Sequence, residues 1–143
     1  MKTARAEKLV QITEEVRDRA RRVQAAAMAE VEKALQAEEA CKQGLLEAKA
    51  DRLKLNATGG SESDFHECDA WVRSHEGRVA RAHQAVLDAQ AAALTAKKAV
   101  EQANIRVEQM CALRENAREA VRAQEGRAER KAEDEHAARA TTK

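Results

Sequence analysis

The chain has no proline and no tyrosine, one tryptophan, one phenylalanine and five glycines in 143 residues. Each shortage excludes something. Without proline, and with almost no glycine, little interrupts a helix once it has started. Two aromatic residues cannot fill the core of a sizeable globular domain. Lys plus Arg exceeds Asp plus Glu by one, so bulk charge favours neither nucleic acid nor a membrane surface. No apolar run approaches the roughly 20 residues of a membrane span, and the segment Met1 to Glu7 leads into no signal-like apolar stretch. Three widely spaced cysteines point to a reducing compartment. A cytoplasmic protein is expected.

What remains is Ala, Glu, Lys, Arg, Gln and Leu, the composition of long helices and coiled coils. Apolar positions run Leu9, Ile12, Val16, Ala20, Val23, Ala27, Val31, Ala34, then Cys41, Leu45, Ala48 and Leu55, with Glu38 and Arg52 interrupting. Steps of three and four place these on one helix stripe. The early part repeats every eleven residues (Leu9, Ala20, Val31) and the later part every seven, so the first helix is predicted to relax its supercoil near its start. A second segment keeps a stricter heptad: Phe65, Val72, Val79, Val86, Ala93, Val100, Val107, Arg114, Val121 and Ala128. Its companion series is Cys68, His75, Ala82, Ala89, Ala96, Ala103, Met110, Ala117 and Gln124.

Between the segments lies Leu55–Phe65, where Asn56 and Gly59-Gly60 leave helical geometry most easily. Lys49, Arg52 and Lys54 suit the negative end of one helix. Ser61, Ser63 and Asp64 are candidate N-caps of the next, and Asp64-Phe65-His66-Glu67 has the form of a capping box. A finished end on both sides makes the break a turn. The predicted fold is all-α: one antiparallel coiled-coil hairpin over residues 1–143, with helix 3–56, turn 57–63 and a longer helix 64–138. Residue i then faces roughly residue 120 minus i. The second helix outlasts the first, and its continuing seam residues Val121 and Ala128 want a partner.

Chemistry is sparse. Gly59-Gly60-Ser61 lacks the further glycine and the lysine of a phosphate loop. His66, His75, His83 and His136, with Cys41, Cys68 and Cys111, show no spacing that converges on one metal ion, so no metal and no cofactor are expected. Arg17, Arg19, Arg21 and Arg22 could meet phosphates, but Glu14, Glu15 and Asp18 intervene and no aromatic residue is near to stack on a base. A solvated face is the better reading of that cluster. The turn end collects Leu45, Leu46, Leu53, Leu55, Phe65 and Trp71, either as packing or as a partner patch. Nothing forms a substrate pocket, so an enzyme is not expected.

The last residues, Arg127 to Ala140, read RAERKAEDEHAARA. A basic stretch followed by Asp134-Glu135, then Ala137, Arg139 and Ala140, resembles the C-terminal end of the FliJ/YscO family of type III (flagellar or virulence) export central-stalk proteins. The hairpin with a longer second helix, the lone Trp71 soon after the turn, and His83 also look like this family. The resemblance implies a non-enzymatic stalk or adaptor, peripheral to a membrane-embedded export apparatus. Its partners would be the hexameric export ATPase, the export gate membrane protein and, for some members, export chaperones. On that basis Val121, Arg122, Arg127, Ala128, Arg130 and Lys131 are the expected ATPase-binding residues. Leu45, Trp71, Val72, Val79 and His83 are the expected gate-binding residues. The alternative from composition alone is a generic cytosolic coiled-coil scaffold or a nucleic-acid-associated helix pair.

Overall fold

A computed structural model describes residues 2–142. It contains two helices, α1 (Thr3–Thr58) and α2 (Glu62–Thr141), and no strand among the described residues. The fold is the expected all-α helical hairpin. Its turn is tighter than predicted, only Gly59, Gly60 and Ser61, because both helices run further toward it. Ala57 favours helix, and the Thr58 hydroxyl bonds back to the Lys54 carbonyl at 2.9 Å, so α1 continues until Gly59. There the backbone turns left-handed (φ 75°) and the Gly59 N–H closes on the Leu55 carbonyl at 2.8 Å, a glycine-terminated helix end. Gly60 is closely approached: a Cβ would lie 2.8 Å from the Leu55 Cδ1 and 3.0 Å from the Asp64 Oδ2, so those side chains would have to move aside.

Ser61 is the N-cap of α2. The Asp64 N–H donates to the Ser61 hydroxyl at 3.1 Å, and the Ser61 N–H donates to the Asp64 carboxylate at 2.9 Å. This is a reciprocal capping box with Asp at the third helical position. The predicted box from Asp64 to Glu67 is therefore displaced by one residue triplet, since Asp64 already serves the cap before it. At the other end the Thr141 hydroxyl bonds to the Ala138 carbonyl at 3.0 Å, carrying the helix past the expected residue 138.

The chain divides into two compact units, Met1–Ala20 with Val100–Lys143, and Arg21–Ala99. Within each unit α1 and α2 run antiparallel. In the second unit Arg52 meets Asp69 (2.7 Å), Glu38 meets His83 (2.8 Å), and Val31 shares a groove with Gln90 and Ala93. In the first, Val16 shares a groove with Ala103 and Arg106, and Glu7 reaches Arg118 at 3.1 Å. These pairings lie close to the predicted register, long side chains accounting for the offset of Glu7.

The α2 seam is as predicted: from Phe65 to Ala117 every residue of the two heptad series is withdrawn from solvent at least in part. The α1 seam is not. A series of withdrawn positions runs Thr3, Ala6, Val10, Thr13, Arg17 and Ala20 in the first unit, then Gln24, Ala27, Val31, Ala34, Glu38, Cys41, Leu45, Ala48, Arg52 and Leu55 in the second, with Leu9, Glu14, Asp18 and Gly44 partly covered beside it. This is an unbroken three-four heptad spacing. The predicted seam residues Ile12, Val16 and Val23 are 46%, 46% and 61% exposed; Leu9, Ala20 and Val31 of the eleven-residue series are partly withdrawn, but the positions between them follow sevens. The reason is geometric. An antiparallel partner must match the strict seven-residue ladder of α2, and a helix cannot shift one residue without rotating by about 100°. Register along α2 outweighs the local gain from burying Ile12 and Val16, and the stem of Arg17 lies along the seam in their place.

Candidate partner-binding surfaces

The buried centre of each unit is thin. Ala6, Val10, Ala103, Val107 and Ala117 form it in the first unit, and Ala48, Val86, Ala96, Glu38 and His75 in the second. Alanine at these layers lets the helices approach closely but removes little area from water. Large apolar side chains consequently stay outside.

In the second unit the turn end has two flanks. One carries Trp71, 49% exposed. Its ring meets the edge of the buried His75 ring at 4.6 Å and 85°, and the Arg78 guanidinium lies 5.5 Å from its centroid. A shallow groove of about 470 Å³ runs beside it, lined by Ala48, Asp51, Leu55, Asp64, Glu67, Cys68 and Trp71. The opposite flank carries a smaller groove lined by Lys49, Arg52, Leu53, Asp69 and Val72. Arg52 closes that side: it bonds Asp69 and Asn56 and lies over the Phe65 ring at 4.6 Å. Hydrogen bonding from Arg52 holds the Asp69 carboxyl below its usual range.

Further along this flank the carboxylate of Glu38 occupies a seam position. Lys42 Nζ meets its Oε1 at 3.0 Å and His83 Nδ1 meets its Oε2 at 2.8 Å. Hydrogen bonds from Lys42, then from His83, lower the Glu38 pKa. A charge at a seam position survives here because both of its oxygens are engaged.

The five residues predicted for the export gate therefore do not form one patch. Leu45, Val72 and Val79 lie partly covered in the seam, as packing requires. Trp71 stands on one flank. His83 stands on the other, tied to Glu38. Heptad spacing alone puts all five near the turn but does not separate the two flanks. Asp64 and Glu67 were legible only as capping residues, and the edge they share with Asp51 appears only when α1 and α2 are set side by side.

In the first unit the cross-helix contacts end near Arg118. Thr3 lines a groove with Arg118, Val121 and Arg122, so Val121 (39% exposed) is half covered rather than bare. From Glu119 to Thr142 every residue except Gly126 is exposed. Arg122 bonds Glu115 at 2.8 Å, and the Arg130 Nε–H donates to the Gly126 carbonyl at 3.3 Å. Arg127, Ala128 and Lys131 lie open on the same stretch. One seam residue here is poorly matched: the buried Nε of Arg114 has no hydrogen-bond partner among the described residues.

Among the described residues, no group of His, Cys, Asp and Glu could hold a metal ion, and no helix is long and apolar enough to cross a membrane. The fold and its surfaces define a class: a two-helix coiled-coil hairpin whose distinctive side chains face outward. The family described as flagellar FliJ protein matches residues 1–143, the whole chain, and the protein belongs to that family. It is a component of the flagellar export apparatus, in a family of structural export-stalk proteins. Searches of curated proteins and of solved structures return no match.

Proposed function

We propose that this chain is the central-stalk adaptor of its export apparatus, binding the hexameric export ATPase, promoting its assembly and linking it to the export gate. The observation that carries this reading is the bare end of α2. From Glu119 to Thr141 the helix has no helix of its own chain against it, apart from the edge of Thr3 beside Val121 and Arg122. Its charges are mixed: Arg122, Arg127, Arg130 and Lys131 alternate with Glu125, Glu129, Glu133 and Asp134. Mixed signs suit a protein-lined channel, whereas a nucleic-acid backbone favours cations alone. Arg122, Arg127, Arg130 and Lys131, with Val121 and Ala128, are the proposed ATPase contacts.

At the turn end, Leu45, Trp71, Val72, Val79 and His83 are the proposed gate contacts. Trp71 contributes most among them, because it is half exposed while Val72 and Val79 serve the seam. Export chaperones are further proposed partners.

The experiment is truncation after Arg122, which retains the Glu7–Arg118 pair and the Thr3 groove. The shortened protein is expected to keep its helix content and to lose stimulation of ATPase assembly and turnover. Undiminished stimulation removes the tail from the mechanism. Separately, Trp71→Ala is expected to weaken capture of a gate fragment with helix content unchanged.

A further inference from the structure

The groove beside Trp71 has a chemistry that the gate assignment does not use. Its floor is apolar, formed by Leu55, Cys68 and Trp71, and its rim carries Asp51, Asp64 and Glu67. No cationic side chain lines it. Asp64 spends one carboxylate oxygen on the Ser61 N–H, whereas Asp51 and Glu67 enter no ion pair among the described residues. An apolar occupant alone would cover these carboxylates without compensating them, which is unfavourable. A phosphate-bearing or acidic occupant would meet three like charges. Positive charge around an apolar anchor satisfies both parts. The indole already accepts a cation at its face, from Arg78.

We propose that this groove binds a basic peptide segment carrying one large apolar side chain, with the apolar group seated between Leu55, Cys68 and Trp71 and flanking cations on Asp51 and Glu67. The volume, about 470 Å³, holds one such side chain with its neighbouring backbone. The assignment is independent of which protein supplies the segment.

The chain provides its own reporter, since Trp71 is its one tryptophan and it has no tyrosine. Full-length protein is titrated with three blocked hexapeptides while Trp71 emission is followed. The first alternates lysines around a leucine, the second replaces its lysines by glutamates, and the third replaces its leucine by serine. The first is expected to shift emission saturably, less so as salt rises, and the other two are not. Asp51→Asn with Glu67→Gln is expected to weaken the first peptide about fivefold with helix content unchanged. The proposal is overturned by no saturable shift with the lysine–leucine peptide, by an equal shift with the glutamate or the serine peptide, or by unchanged affinity in the double variant. Emission that changes with protein concentration alone also overturns it, since the occupant is then a second copy. Failure of a gate fragment to bind wild-type protein removes the gate reading and leaves the peptide titration untouched.

Discussion

At the scale of single residues, the turn end shows how close approach and charge are settled side chain by side chain. Gly44 faces His75: a Cβ there would stand 3.1 Å from the Cε1 and Nδ1 of a ring already packed against Trp71. Gly44→Ala gains about 1 kcal/mol of helix propensity and spends it on this contact, so little net change in melting is expected. Gly44→Leu overpacks the layer and is expected to cost about 1–3 kcal/mol, partly restored by adding His75→Ala. Thermal melts of the three variants check this. Glu38 adds a pH term. Its folded pKa lies below the ordinary value of 4.5 because Lys42 and His83 hold the charged form. Its stabilisation is therefore fully present above 4.5 and is lost as pH falls through the lower folded value. Melting temperatures measured from about pH 7 to about pH 3 are expected to fall less steeply for Glu38→Gln than for wild type. Equal slopes would show that the carboxylate carries no such linkage.

At the scale of the helix, the first part of α1 keeps a heptad that its own residues do not advertise. It places Thr13, Arg17 and Gln24 on the seam and leaves Ile12, Val16 and Val23 outside. Polar residues at such positions fix register at some expense in stability. Gln24→Leu and Arg114→Met are each expected to raise stability by about 1 kcal/mol, the second because it removes a buried donor without a partner. Ile12→Ser and Val16→Ser are expected to change stability by less than about 0.5 kcal/mol. Chemical denaturation distinguishes the two registers directly. Large losses from the serine variants would restore the eleven-residue seam.

At the scale of the whole molecule, partner contacts are available where the hairpin's own pairing leaves side chains uncovered. The last part of α2 is exposed, and its surface ion pairs contribute about 0–1 kcal/mol each. Truncation after Arg122 is accordingly expected to leave the melting of the remaining hairpin within about 0.5 kcal/mol of wild type. If melting collapses, the tail is part of the fold, and its functional loss cannot be read as a lost contact.

The sequence by itself determined that two helices form, where they turn, and how α2 is oriented. Missing proline, the Gly59-Gly60 break and the Phe65–Ala117 heptads are local or periodic signals, and such signals do not depend on a partner. The bare stretch after Arg118 was legible as well, from the difference in helix length. Only the tertiary structure decided which face of the first part of α1 turns inward. Residues 9–23 offer two overlapping stripes, the apolar one through Ile12 and Val16 and the mixed one through Thr13 and Arg17, and the ladder of α2 selects the second. The same pairing decided the surfaces. It put Trp71 and His83 on opposite flanks and drew Asp51 of one helix beside Asp64 and Glu67 of the other. Side chains from two helices share an edge only once the helices are packed, and no periodicity within either helix encodes that edge.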